Sequence, residues 1–133
     1  MTNDSRSEGR SGPGPIDLIR AFCRDVEKLD VEVIVGYFTD DVVYHNMPLE
    51  PVVGPDAVRS LFAMFTTGVE RMEFRVLNIV ADGNVVLTER VDVFELPDKT
   101  IELPVMGTFE VRDGKIAAWR DYFDLQQYMN QLA

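Results

Sequence analysis

Three charged residues of this chain are of the types and spacing that acid and base chemistry needs. Arg90 and Asp92 lie two apart in Thr88-Glu89-Arg90-Val91-Asp92-Val93-Phe94, a stretch that reads as a β-strand, so both side chains project from one face. Asp121 lies in Trp119-Arg120-Asp121-Tyr122-Phe123-Asp124 and shares its predicted strand face with Ala117, Trp119, Phe123 and Leu125. A carboxylate among such neighbours is costly unless it is paired or hydrogen-bonded. If the three meet, they form a carboxylate–guanidinium–carboxylate group. Two neighbouring aspartates do not both ionise readily, and burial raises the pKa of the one that keeps its proton. An arginine hydrogen-bonded to both keeps the other ionised, so the group holds an acid and a base together and shares one proton between them.

The residues alone leave the meeting open. Thr88, Arg90, Asp92 and Phe94 alternate with Glu89, Val91, Val93 and Glu95. Val91 and Val93 could claim the core and leave Arg90 and Asp92 in solvent, or the valines could be covered in a subunit interface while the charges point inward. Tyr44 and Asn46 share one face of a second predicted strand, where they could hold a water between donors and an acceptor or simply decorate an amphipathic edge. Phe94, Trp119 and Phe123 are, by parity, either pocket wall or plain core.

The elements that must position these residues follow from the periodicity. Residues 1–14 are rich in Ser, Gly and Arg and poor in apolar side chains, which reads as a disordered arm, whether native or vector-derived. Pro15 opens a helix whose Ile16, Ile19, Phe22, Cys23, Val26 and Leu29 form an apolar stripe. Asp30 caps a second helix, expected to run to about Phe38. Asp40-Asp41 punctuate, and Val42 to Met47 read as a strand ended by Pro48. Pro55 and Asp56 open a third helix, closed by Gly68. Four long β-rich segments follow, Met72–Ala81, Val85–Leu96, Thr100–Arg112 and Lys115 to about Leu125, separated by Asp-Gly and Pro-Asp turns that imply an antiparallel meander. A short helix, Gln126–Leu132, closes the chain. This order is α+β in one domain spanning 15–133, with a strongly curved, mainly antiparallel sheet forming a cone and the N-terminal helices on its concave side.

Composition narrows the partners. The 133 residues carry a formal net charge of −10, the wrong sign for nucleic acid or an anionic membrane surface. No apolar run approaches the ~20 residues of a membrane span, and the N-terminus lacks a signal peptide's apolar region. The lone cysteine, Cys23, cannot form an internal disulfide and suits a reducing, cytoplasmic setting as a small buried hydrophobe. One histidine, His45, and one cysteine do not supply the usual zinc ligand set, and nothing has the spacing of a calcium loop. No metal or cofactor is expected. Parity turns His45 away from Tyr44 and Asn46, and no role is assigned to it.

Three blocks in order, Tyr44-His45-Asn46-Met47-Pro48-Leu49, Thr88-Glu89-Arg90-Val91-Asp92-Val93 and Trp119-Arg120-Asp121-Tyr122-Phe123-Asp124-Leu125, closely resemble the limonene-1,2-epoxide hydrolase family. Gly54-Pro55-Asp56-Ala57-Val58 adds to the likeness, which covers nearly the whole chain after Pro15. The resemblance implies a cone of the cystatin or nuclear-transport-factor type, usually a homodimer, that opens an apolar epoxide to a vicinal diol without metal or covalent intermediate. It implies Asp92 as the acid that protonates the epoxide oxygen, Asp121 as the base toward water, Arg90 as their bridge, and Tyr44 with Asn46 as the holders of that water. Ketosteroid isomerases and polyketide cyclases look similar in fold and need only one carboxylate base and an oxyanion donor. A non-catalytic binder of apolar ligands is the third reading.

Overall fold

The computed structural model describes residues 14–133; the expected N-terminal arm, save Gly14, lies outside them. Helix α1 (Pro15–Asp25) begins with proline in its first turn and buries Ile19, Phe22 and Cys23. The stripe continues past the helix. Val26–Lys28 form a 3-10 turn that Leu29 ends in the left-handed region, φ 56°.

Asp30 caps α2 (Val31–Val35), its carboxylate accepting from the backbone N–H groups of Glu32 at 3.0 Å and Val33 at 3.4 Å. This helix stops at Gly36, short of the expected Phe38. Its β-branched residues lose rotamer freedom in a helix and sit better in strands. Phe38 instead begins β1 (Phe38–Asn46), and Asp40-Asp41 lie within that strand at a register shift between Phe38 and Val43. An irregular, exposed stretch of strand tolerates the two aspartates that had read as a stop. Met47 falls just outside. A two-residue strand, β2 (Val52–Val53), pairs antiparallel with β1 and was not expected.

Helix α3 (Pro55–Phe65) buries Val58 and Phe62. The meander follows as β3 (Arg71–Asp82), β4 (Val85–Glu95), β5 (Thr100–Arg112) and β6 (Lys115–Tyr122). Asp113 and Gly114, both at positive φ, turn the last hairpin, as a tight hairpin turn requires. Strand β6 ends three residues before the expected Leu125, because Asp124 caps α4 (Leu125–Leu132) by accepting from the Gln127 N–H at 3.1 Å.

The sheet order is β2-β1-β6-β5-β4-β3, antiparallel throughout except for β1 beside β6. Register shifts in the β1–β6, β3–β4 and β5–β6 pairs bend the strands and curve the open sheet. Helix α1 packs across β3 and β4, and α3 across β1. Trp119 is the centre of the core, stacked on Tyr44 at 4.0 Å and on Phe109 at 5.4 Å and met edge-on by Phe22 at 5.1 Å. No helix among the described residues is long and apolar enough to cross a membrane.

Candidate active site

The ambiguity of the β4 strand resolves inward. Thr88, Arg90 and Asp92 are buried, with Arg90 1% exposed. Val91, on the other face, is half-buried, whereas Val93 is buried as well. Strand β6 likewise turns Asp121 and Trp119 inward.

Bringing Arg90 to Asp121 is harder than the pattern suggests, because β5 runs between their strands. Two strand spacings amount to about 9.5 Å, and an arginine spans this only by lying across the intervening strand. Gly107 of β5 pairs with both Thr88 and Asp121. A Cβ at this position would fall 2.4 Å from Arg90 Nη1 and 2.7 Å from Asp121 Oδ1. The strand glycine is therefore the gap through which the guanidinium passes.

Arg90 makes a bidentate contact with each aspartate. Nε and Nη2 donate to Asp92 Oδ1 and Oδ2, both at 2.9 Å. Nη1 and Nη2 donate to Asp121 Oδ1 and Oδ2 at 3.2 and 2.8 Å. Nη1 also donates to Thr88 Oγ1 at 3.2 Å, and the guanidinium lies 4.6 Å from the centre of the Phe74 ring. Trp119 Nε1 adds a third donor to Asp121, 2.7 Å from Oδ1. Asp121 thus accepts three hydrogen bonds to the two of Asp92.

Burial pushes the Asp92 carboxyl up to about 6; Arg90 opposes that shift and the charge of Asp121 adds to it. Burial alone would lower the Arg90 pKa, but the two carboxylates outweigh it and hold the guanidinium charged. With one proton on the aspartates the buried group is neutral, which is the least costly state for charges out of water. Burial also pushes the Tyr44 phenol well above its usual range and the Cys23 thiol up to about 12. Both stay protonated.

The group opens onto a cavity whose polar end is Tyr44, Asn46, Asp92 and Asp121. Asn46 lies beside Asp121 across the parallel β1–β6 ladder, and the Met47 N–H donates to the Asp121 carbonyl at 2.8 Å. The Tyr44 hydroxyl donates to Asn46 Oδ1 at 3.2 Å, which leaves Asn46 Nδ2 buried without a protein partner. A buried amide donor of this kind wants an acceptor. His45 faces away and bonds the Leu49 carbonyl at 2.9 Å.

Of the three aromatic residues expected on the wall, Phe94 and Phe123 line the cavity. Trp119 does not. It is fully buried behind Tyr44, and it acts on the site through its N–H to Asp121 and its stacking on the Tyr44 ring. Sequence reasoning missed Gly107, Thr88 as a partner of Arg90, and the wall residues Phe62, Phe74 and Leu103. A glycine inside an otherwise regular strand was the available signal for the first. Among the described residues no group of three or more His, Cys, Asp or Glu side chains is arranged to hold a metal ion.

Residues 13–133 match the family described as limonene-1,2-epoxide hydrolase catalytic domain. The chain is 34% identical over 107 residues to the epoxide hydrolase EphG of Mycobacterium tuberculosis, covering 80% of this chain and 71% of that protein. Among solved structures, an M. tuberculosis LEH-like epoxide hydrolase superposes with a TM-score of 0.76 at 31% identity, over 89% of this chain and 91% of the other. An NTF2-like protein from Anabaena variabilis superposes with a TM-score of 0.74 at 17% identity, over 93% and 94% of the two chains. That last likeness shows the fold alone.

Proposed function

The chain belongs to the limonene-1,2-epoxide hydrolase family, and from that premise we propose that it converts an apolar epoxide to a vicinal diol in one step, by water attack assisted by an acid and a base. The observation that carries this reading is Arg90 bridging Asp92 and Asp121 at the polar end of an otherwise apolar cavity.

Each group has a part its environment suits. Asp92, whose carboxyl burial holds up to about 6, donates its proton to the epoxide oxygen as the carbon–oxygen bond breaks. Asp121, hydrogen-bonded by Arg90 and Trp119, takes a proton from the attacking water. Asn46 Nδ2 and the Tyr44 hydroxyl orient that water. The water oxygen bonds to carbon, the diol leaves neutral, and the proton now on Asp121 returns to Asp92 through the coupled pair or solvent. No cofactor, metal or enzyme ester takes part.

A single turnover in heavy-oxygen water tests the scheme: the diol should carry solvent oxygen in the first turnover, and label delayed to later turnovers would mean an aspartyl ester instead. Proton exchange alpha to a carbonyl without epoxide turnover would favour an isomerase or cyclase, for which the second, Arg-bridged carboxylate has no work to do.

The same proposal takes residues 15–133 as one domain and the working form as a cytoplasmic homodimer. The convex face of the sheet supports the pairing, with Val80 beside Leu87 and Met106 beside Tyr122, all exposed. Exposed apolar pairs of this kind are better covered than left in water.

A further inference from the structure

A guanidinium carries five N–H donors, and the fold supplies Arg90 with an acceptor for every one. Four go to the aspartates: Nε and Nη2 donate to Asp92, Nη1 and Nη2 to Asp121. The fifth, the second hydrogen of Nη1, goes to Thr88 Oγ1 at 3.2 Å. Thr88 is wholly buried, and neither it nor Arg90 lines the cavity. Arg90 therefore has no donor left for substrate or water and acts only through the carboxylates it holds.

The sheet explains how Thr88 comes to take that last hydrogen. Thr88 of β4, Gly107 of β5 and Asp121 of β6 stand in one row across three strands. Arg90 Nη1 lies over the middle of the row, where a Cβ on Gly107 would fall 3.0 Å from Thr88 Oγ1. The Thr88 hydroxyl donates to the Gly107 carbonyl at 3.4 Å, which leaves its lone pairs for the guanidinium. Nη1 is thus held from both ends of the row, by Thr88 Oγ1 and by Asp121 Oδ1, each at 3.2 Å.

This arrangement also sorts the oxygens of Asp121. Oδ1 accepts from Arg90 Nη1 and from Trp119 Nε1, which uses both of its lone pairs, whereas Oδ2 accepts from Nη2 alone. Only Oδ2 keeps a lone pair for a proton from water.

We propose that Thr88 is a positioning residue of the reaction: its hydroxyl takes the last N–H of Arg90 and holds the guanidinium in the one orientation that leaves Asp121 Oδ2 as the base. This rests on the epoxide-opening reading of the site and adds to it a residue that touches neither substrate nor water. Without the hydroxyl, Nη1 keeps a buried hydrogen with no acceptor. The guanidinium tilts to satisfy it, and both aspartates lose their alignment with the reacting atoms.

The test separates the hydroxyl of Thr88 from its methyl group, in the full chain with cyclohexene oxide as probe. Thr88→Val and Thr88→Ala should each lower kcat about thirtyfold with KM within about twofold, since a misplacement of about 1 Å costs on the order of a hundredfold. Thr88→Ser, which keeps the hydroxyl, should restore kcat to within about threefold of the wild type. Loosening Arg90 weakens its hold on the ionised forms of the pair, so both limbs of the pH–rate profile should move to higher pH in Thr88→Val. Tyr44 of β1 and Cys23 of α1, which also feel the charge of Arg90, stay protonated across that range. A loss that follows the methyl group, with Thr88→Val active and Thr88→Ser impaired, or a Thr88→Val profile whose limbs stay in place, would make Thr88 a packing residue and overturn the proposal. Guanidinium N–H signals in NMR spectra give a readout that needs neither turnover nor a folded variant. In the wild type Arg90 Nη1 should show two separate hydrogens, because bonds at both ends stop its rotation, and a single averaged signal would equally overturn the proposal. Two Nη1 signals that Thr88→Val merges, in a protein that turns over no epoxide, would retain the hold of Thr88 on Arg90 and reject the epoxide chemistry.

Discussion

One ionic arrangement, an arginine between two carboxylates, occurs both at the surface of the molecule and in its interior. Arg59, on the surface between α2 and α3, donates to Glu32 at 2.7 and 3.1 Å and also to Asp56. Arg90 stands between Asp92 and Asp121 in the same way, out of water. At the surface, the hydrogen bonds from Arg59 hold the Glu32 carboxyl below its usual value. In the interior, burial outweighs a comparable arginine and lifts Asp92 to about 6. One guanidinium between two carboxylates is therefore not in itself an acid and a base. Removal of water makes it one, by making the second negative charge too costly to keep.

The widest gap between the two sites should appear in turnover. Asp92→Asn, Asp121→Asn and Arg90→Ala should each lower kcat/KM by about a thousandfold, the range of a lost proton-transfer group, while Arg59→Ala leaves it unchanged within error. Near-normal activity in either aspartate variant would remove the acid and base assignment. Arg90→Ala should also lower stability by about 3–5 kcal/mol in urea melts, because it strands two buried carboxylates. Arg59→Ala should move the midpoint only slightly, since exposed pairs are screened by solvent and salt.

Gly107→Ala sharpens the comparison without changing any charge. The methyl group would stand where Arg90 and Asp121 now meet, so crowding should cost about 1–3 kcal/mol and turnover should fall about a hundredfold through loss of the bridge alone. A variant that keeps full activity would mean that Arg90 need not cross β5 for the reaction.

The two sites should also respond to pH with opposite sign. The folded-state pKa of Asp92 is raised from 3.8 to about 6, so its contribution to stability is fully present below pH 3.8 and lost as pH rises through about 6. Asp92→Asn should therefore gain on the wild type between pH 4 and pH 7, by about 3 kcal/mol at most, from denaturation midpoints taken across that range. Glu32, with its pKa lowered from 4.5, contributes above that value and loses the contribution as pH falls. Glu32→Gln should lose slightly at neutral pH and not at pH 3, and high salt should erase the difference.

How far the sequence disclosed all this differs by residue. Asp121 was legible because a lone carboxylate on an apolar strand face demands a partner, and the hairpins were legible because their turns carry Asp-Gly or Pro-Asp. Arg90 and Asp92 were not, since Val91 and Val93 alternate with them and Val93 is buried too; only the resemblance to a family pointed inward. Trp119 was read as wall because parity assigns a face but not a depth, and depth is set by what α1 and α3 place in front of it. Phe38 went to β1 instead of α2 because tertiary pairing outweighed a weak local helix preference. The contribution of Gly107 depends on which strand lies between two others, which no single segment contains.

The parallel pairing of β1 with β6 has a consequence for how the site is assembled. Thr88, Arg90, Asp92, Gly107 and Asp121 all belong to consecutive hairpins, whose contacts close short loops and form early at small entropic cost. Asn46 reaches Asp121 only after the chain between them has been wound into four further strands and a helix. The charged group can thus exist in a partly folded chain that has no means of holding water. A β1 destabilised by substitution would yield a protein whose meander is intact and whose acid and base are in place, yet inert, and its recovery of activity during refolding should lag behind formation of the β3–β6 hairpins.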